Sequence, residues 1–304
     1  LRETIPAALA GERVDRAVAL LTGLPRSDVA SLVEAGGVRL AGRVVTTRSR
    51  RVGEGEVLEV DVPAVVADLG PQSEPEVAVP VVHADEDVVV IDKPAGLVVH
   101  PGSGHLRGTL VNGLLARFPD LAGVGPDPAR PGIVHRLDKG TSGLLVVARS
   151  ARAYESLVAQ LKRRQVERRY LALVWGQVAS PAGLVDAPIG RASGDPTRMA
   201  VSSKGREART RYEVLARYTE PVPLTLLECR LETGRTHQIR VHLAAIGHPV
   251  VGDTRYRGGR AALAVPRPFL HAHRLAFDHP GSGERVQFDS PLPADLEEVR
   301  GRLS

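Results

Sequence analysis

The sequence predicts an α+β fold, a mainly antiparallel mixed sheet with a small αβ module attached in front of it. Three observations carry this expectation. Strand-like runs outnumber helical ones in the long C-terminal part; they do not alternate regularly with helices, as a doubly wound parallel sheet would require. The segment between Val60 and Val81 holds Pro63, Pro71, Pro75 and Pro80 and no basic residue, which reads as a break between two units. The expected organisation is a head over residues 11–62, a linker over 63–78 and a body over 79–304.

In the head, Val14, Val18 and Leu21 are spaced for one amphipathic helix. Val29, Leu32 and Val33 mark a second, starting after Pro25 and closing at Gly36-Gly37. "VRLAGRVV" reads as two β runs around Ala41-Gly42, and "VLEVDVP" as another. A module of this size is marginal alone, so it is expected to work as an attachment. In the body, "VVVID", "GLLVVA", "RYLALVWG", "TRYEVLARY" and "LTLLECRLE" have strand character. "TLVNGLLARF", "AYESLVAQLKRR" and "THQIRVHLAAIG" have helical spacing.

Composition narrows the function classes. With 43% hydrophobic and 25% charged residues the 304-residue chain is globular rather than disordered. No apolar run approaches the ~18 residues of a membrane helix, and the first residues lack a basic-then-apolar signal pattern. The expected location is therefore cytoplasmic. Cys229 is the single cysteine, which excludes an intrachain disulfide and a cysteine-based zinc cage. Residues 1–60 carry nine basic and eight acidic groups, residues 61–90 none and seven, and the remainder thirty-one and twenty. The body therefore holds the positive excess. Thirty-six of the 40 cations are arginine, whose planar fork suits phosphates and base edges, so a polyanionic partner fits, although a genomic preference for arginine codons would give the same composition.

Several familiar site patterns fail. Gly102-Ser-Gly104-His-Leu-Arg-Gly108 has one residue too many for a dinucleotide fingerprint, and no phosphate-loop GxxxxGK[ST] occurs. Gly140-Thr-Ser-Gly143 misses the GxSxG elbow by one position. His237, His242, His271 and His273 lack metal-ligand spacing. No nucleotide cofactor and no metal are expected.

One dense segment remains, "GIVHRLDKGTSGLLVVARS" at 132–150. His135, Arg136, Asp138 and Lys139 crowd four ionisable groups into five positions, beside glycines that permit a tight turn into the apolar strand from Leu144. A carboxylate held there needs a cation to stay ionised, and a plain buried ion pair at a turn is the alternative to a catalytic one. A second segment, "ETGRTHQIRVHLAAIGHPVVGD" at 232–253, enters a helix with Ile239, Leu243 and Ile246 as an apolar stripe and Thr236 and Arg240 on a neighbouring face. Arg240 is the candidate cation for Asp138. Arg235 and His237 at the helix start suit a phosphate.

Together, "VVVIDKPAGLVVHPG", "HRLDKGTSGLLVVAR", "TGRTHQIRVHL" and "LHAHRLAFDHP" resemble the pseudouridine synthases of the RluA/RluD type, over nearly the whole chain. His135 and "GTSGLLVVAR" favour that branch over the RsuA type, which usually reads "GRLD". The head resembles an S4-like RNA-binding module through Arg13, Asp15, Arg16, Pro25, Arg26 and the Gly42 turn. The resemblance implies that Asp138 is the catalytic aspartate, Arg240 its paired arginine and Tyr170 the platform that stacks on the target base. It implies that Arg136 fills the space left by the flipped nucleotide, and that Ile239 and Leu144 wall the pocket. Arg168 stands where many relatives have lysine, which preserves the charge.

The implied reaction detaches uracil from C1′ of a uridine in RNA, turns it and rejoins it through C5. An isomerisation needs no redox carrier, triphosphate or metal, in keeping with the missing patterns. Asp138 could serve as nucleophile or as base, and the sequence leaves both open. Because the target atoms are stacked in a helix, the nucleotide must be extruded. His135, Lys162, Arg163, Arg164, Arg168 and Arg169 in the body, with Arg26 and Arg39 in the head, are the candidate RNA contacts. The expected partner is RNA, that of the large ribosomal subunit; the same chemistry on transfer RNA and a noncatalytic RNA-binding or ribosome-assembly role are the alternatives.

Overall fold

A computed structural model describes residues 1–22, 24, 26–61, 70–102, 107–195 and 198–304, without the side chains of residues 26 and 27. Pro25, residues 63–69 of the expected linker, the middle of the glycine-rich 102–108 stretch and the Arg26 side chain lie outside the described residues. The chain divides into two compact units, Leu1–Leu69 and Gly70–Ser304.

The first unit runs β1 (Arg2–Thr4), α1 (Val14–Thr22), α2 (Arg26–Glu34), β2 (Val38–Leu40), β3 (Arg43–Val44) and β4 (Val57–Val60). Its antiparallel sheet has the order β1-β4-β2-β3. Ala41 and Gly42 both take positive φ, 50° and 73°, so β2 and β3 are joined by a two-residue turn that needs a left-handed backbone at both positions. Val14, Val18, Val29 and Val33 from the helices close over Val38, Leu40, Leu58 and Val60 from the sheet. This is the two-helix, small-sheet pattern expected for the head, with β1 added at its edge. Arg2 to Thr4 has no apolar alternation that would mark it as a strand.

The second unit contains β5 (Val81–Ala84), β6 (Val88–Lys93), α3 (Leu110–Arg117), β7 (Ser142–Ala148), α4 (Ala151–Lys162), β8 (Glu167–Trp175), β9 (Ala182–Asp186), β10 (Ile189–Arg191) and β11 (Met199–Val201). It continues with β12 (Arg209–Tyr218), β13 (Leu224–Leu231), α5 (Gln238–Ala245), β14 (Leu270–Asp278), β15 (Arg285–Asp289) and α6 (Ala294–Arg300). The principal sheet has the order β5-β6-β7-β14-β8-β13-β12-β9, with β15 on β14. Only β7 and β14 pair in parallel; every other pairing described in this sheet is antiparallel. The α+β class follows.

β7 is buried along its whole length, between β6 and β14. Leu145 and Val147 face one core with Val89, Ile91, Tyr170, Ile239 and Leu243; Leu144 and Val146 face another with Leu157 and Phe277. At its start Gly143 has φ 112°, and a Cβ there would stand 2.3 Å from the Ala272 carbonyl oxygen, so glycine is required where β7 meets β14.

Two expectations need correction. Residues 72–78, read as linker, are fastened to the second unit: the Glu74 amide donates to the Asn112 carbonyl (3.0 Å) and Asn112 Nδ2 to the Gln72 carbonyl (2.7 Å). Proline content marked an extended segment, but it could not show that α3 supplies its hydrogen bonds. Ile246 is 39% exposed rather than part of an apolar stripe, because α5 stops at Ala245 and the helical repeat no longer places the next residue on the buried face.

Candidate active site

The loop between Gly132 and Ser142 is fixed from several sides. The Ala148 amide donates to the Gly132 carbonyl (2.9 Å), the Gly96 amide to the Lys139 carbonyl (2.7 Å) and the Thr141 amide to the Asp138 carbonyl (3.0 Å). Below it Lys93 is fully buried, its Nζ donating to the carbonyls of Pro94 (2.8 Å) and Leu97 (2.9 Å). Burial pulls the Lys93 pKa down to about 7, against the opposing attraction of Asp138. The main chain carrying Asp138 is thus positioned before any ligand arrives.

Arg240 meets it from α5. Its Nη1 donates to Asp138 Oδ2 at 2.9 Å, joining residues 102 positions apart. The opposite edge of the same guanidinium is forked on Asp253, Nε to Oδ2 at 2.6 Å and Nη2 to Oδ1 at 3.0 Å. Burial opposes the charge, but the bonds to Asp253 and Asp138 outweigh it and raise the Arg240 pKa above its ordinary value. Asp253 also accepts the Arg255 and Tyr256 amides, which fixes its own carboxylate. One cation is shared by two acids, and Asp138 is the more exposed of them, with 18% of its side chain accessible against 1% for Asp253.

His237 stands beside this pair as the residue before α5, in the left-handed region at φ 57°. The Met199 amide donates to the Tyr256 hydroxyl (3.2 Å), which lies 2.8 Å from His237 Nδ1. The other ring nitrogen, Nε2, stands 4.0 Å from Asp138 Oδ1. Burial lowers the His237 pKa and keeps the ring neutral.

Asp138 opens into a cavity of about 760 Å³, lined also by Tyr170, Arg168, His135, Ile133 and Leu231. A second space of about 720 Å³ reaches Asp138 from the side of His237, Arg240 and Arg255. Arg136 and His100 line both and approach each other, Nη1 to Nε2, at 3.4 Å. On β8, Arg168 and Tyr170 are two residues apart and share the face toward the cavity. Burial pushes the Tyr170 hydroxyl up to about 12, so the ring stays neutral. His135 also lines the cavity, but its Nε2 accepts the Val146 amide (3.1 Å); burial, aided by Arg168, brings its pKa down to about 3. It is a neutral support of β7 and not an RNA-gripping cation.

The structure therefore brings together Asp138, Arg240, Tyr170, Arg136, Arg168 and His135. Ile239 and Leu144 do not wall the cavity: both are core residues, and Ile133 and Leu231 provide the apolar surface instead. Arg169 points to the opposite face of β8, where it is bound by Glu167 (2.6 Å) and Glu228 (2.7 Å). Lys162 and Arg164 lie on the cavity's rim, Arg164 held by Glu207 (2.6 Å). Arg163 is turned away to Gln165. Arg39 is exposed on β2 of the first unit. Asp253, Lys93 and Tyr256 were not singled out by sequence; the signal for Asp253 was a second acid in "HPVVGD", close after the helix that carries Arg240.

An acid and an arginine from distant parts of the chain thus meet at the wall of a cavity that Tyr170 also lines. Residues 87–245 match the model of the RNA pseudouridylate synthase family. The chain is 46% identical over 303 residues to the ribosomal large subunit pseudouridine synthase D of Nitrosomonas europaea, covering 96% of this chain and 85% of that one. It is 45% identical over 289 residues to an uncharacterized RNA pseudouridine synthase of Bacillus subtilis, covering 95% and 93%. Among solved structures, human RNA pseudouridylate synthase domain containing 1 superposes with a TM-score of 0.59 at 30% identity, over 75% of this chain and 89% of that one. The chain belongs to the RNA pseudouridine synthase family, of the RluA/RluD type, and its activity is the isomerisation of uridine in RNA.

Proposed function

We propose that this enzyme modifies uridines of large-subunit ribosomal RNA, with Asp138 acting on a nucleoside flipped into the cavity beside Tyr170. The observation that carries the reading is the Arg240–Asp138 bond of 2.9 Å at the cavity wall, which sets a carboxylate against a guanidinium where a base can enter. The Tyr170 ring offers a stacking surface, and extrusion of the base costs a few kcal/mol that stacking and pocket contacts offset. Arg136, exposed between the two spaces, is placed to occupy the gap in the RNA stack. Lys162 and Arg164 at the rim hold flanking phosphates. In the head, an S4-like module over 11–62 grips structured RNA, with Arg39 exposed on β2.

Asp138 attacks C1′ or removes a ribose proton; on either route the N1–C1′ bond breaks with its electron pair left on uracil. The base turns and C5 bonds to C1′, displacing Asp138 on the first route or with the ribose proton returned on the second; C5 loses its proton and N1 gains one, so no atoms are exchanged overall. The ribosomal target is supported by the names of the relatives and by the positive balance of the body. Mapping pseudouridine in ribosomal RNA from cells with and without the gene tests it. One or more loop uridines of the large-subunit RNA should lose the modification and regain it with the wild-type gene but not with Asp138→Ala. An unchanged large-subunit map would overturn the substrate assignment.

A further inference from the structure

Arg168 is 6% exposed, and its guanidinium makes no hydrogen bond or ion pair with any described residue; Nε is buried without a partner. Burial pushes its pKa down, so a positive charge at this place is costly to the fold. Nevertheless the surroundings make room for it. Gly234 packs so closely that a Cβ there would stand 2.9 Å from Arg168 Nη1. Neighbouring charges are otherwise engaged: Asp138 and Asp253 by Arg240, and Glu232 by Arg211 (2.6 Å) and Arg209 (3.1 Å). A buried cation without a counter-charge, beside Tyr170 in the reactive cavity, implies an anion that is present only during the reaction.

The reaction supplies one. When N1–C1′ breaks, the bonding pair remains on uracil and spreads over N1, O2 and O4. Asp138 is itself negative and cannot stabilise that charge, and Arg240 is already committed to two carboxylates. Resting on the functional reading above, we propose that Arg168 is the cation that stabilises the detached uracil anion until its electron pair is returned to C1′ through C5. A fixed, buried charge acts where charge develops and needs no reorganisation at that moment. A phosphate anchor would stand at the rim where the RNA backbone runs, whereas Arg168 shares the inner face of β8 with the base platform.

Full-length Arg168→Met and Arg168→Lys proteins test this through three readouts: thermal unfolding, binding of a large-subunit ribosomal RNA transcript, and single-turnover release of tritium from the same transcript labelled at uridine C5. The methionine variant should unfold at or above the wild-type temperature, because an unpaired buried charge has been removed. It should bind RNA as the wild type does and release tritium about 100-fold more slowly. The lysine variant should regain much of the lost rate. A methionine variant that fails to fold or melts lower identifies a structural arginine and overturns the proposal, as does one with an undiminished rate. Weakened RNA binding with an unchanged rate at saturating RNA identifies a phosphate contact and equally overturns it. A wild-type protein that releases no tritium from ribosomal transcripts but does so from other RNA refutes the substrate reading, and the variants are then compared on that other RNA.

Discussion

Replacing Asp253 by asparagine tests the shared cation at the residue farthest from solvent. The change is isosteric and retains one oxygen for the Arg255 and Tyr256 amides, but it presents an NH₂ group to the Arg240 Nε that now lies 2.6 Å from a carboxylate oxygen. A donor then faces a donor, and a guanidinium with 10% side-chain exposure keeps only Asp138 as counter-charge. Breaking one partner of a buried ion pair costs about 3–5 kcal/mol; the retained amide contacts place Asp253→Asn near the lower end, about 3 kcal/mol. In a unit of this size that corresponds to a fall in melting temperature of roughly 6–12 °C. Arg240 also loses the fork that orients its Nη1, and a misplacement of about 1 Å at a catalytic group costs on the order of 100-fold in rate. Differential scanning calorimetry and tritium release on the same preparation measure both effects. An Asp253→Asn enzyme with wild-type melting temperature and turnover would refute the argument that Asp253 positions the cation.

Other outcomes follow from the same structure. His135 titrates near 3 when folded and near 6.5 when unfolded, so the unfolded state binds more protons between those values and stability falls as pH drops through this window. The loss should reach about 3 kcal/mol by pH 4 in denaturant titrations and be visibly smaller in His135→Gln, which keeps an acceptor for the Val146 amide. Gly143→Ala should cost more than about 3 kcal/mol or abolish soluble expression, since the added methyl meets the Ala272 backbone; normal expression and melting would contradict the packing of β7 on β14. Lys162→Ala should weaken RNA binding and lower the slope of log affinity against log salt by about one, without changing the single-turnover rate at saturating RNA.

The fold class and the head's two helices and hairpin were legible because their signals are local: apolar spacing, Ala41-Gly42 and a proline-rich interval. The Asp138–Arg240 pair was legible for a different reason, since a carboxylate beside a buried strand requires a cation and the second polar segment offered one. What stayed hidden depends on how the backbone turns just after a residue, which apolar spacing does not show. Lys93 gives no local sign that carbonyl groups enclose it, and Asp253 becomes a counter-charge only once the chain returns beneath α5. Arg169 could have been placed correctly: in a strand, residues 168 and 170 share one face and 169 must take the other, yet the run of cations was read as one patch. Ile239 and Leu144 were assigned to the pocket by resemblance, and their apolar character fits the core just as well.

The central claim is that an ionised Asp138, held by Arg240, performs the chemistry. Tritium release from C5-labelled RNA by Asp138→Asn measures it most directly, because asparagine preserves shape while removing the charge. The account predicts a folded protein that still binds RNA and releases no tritium above background. Release at the wild-type rate would contradict it.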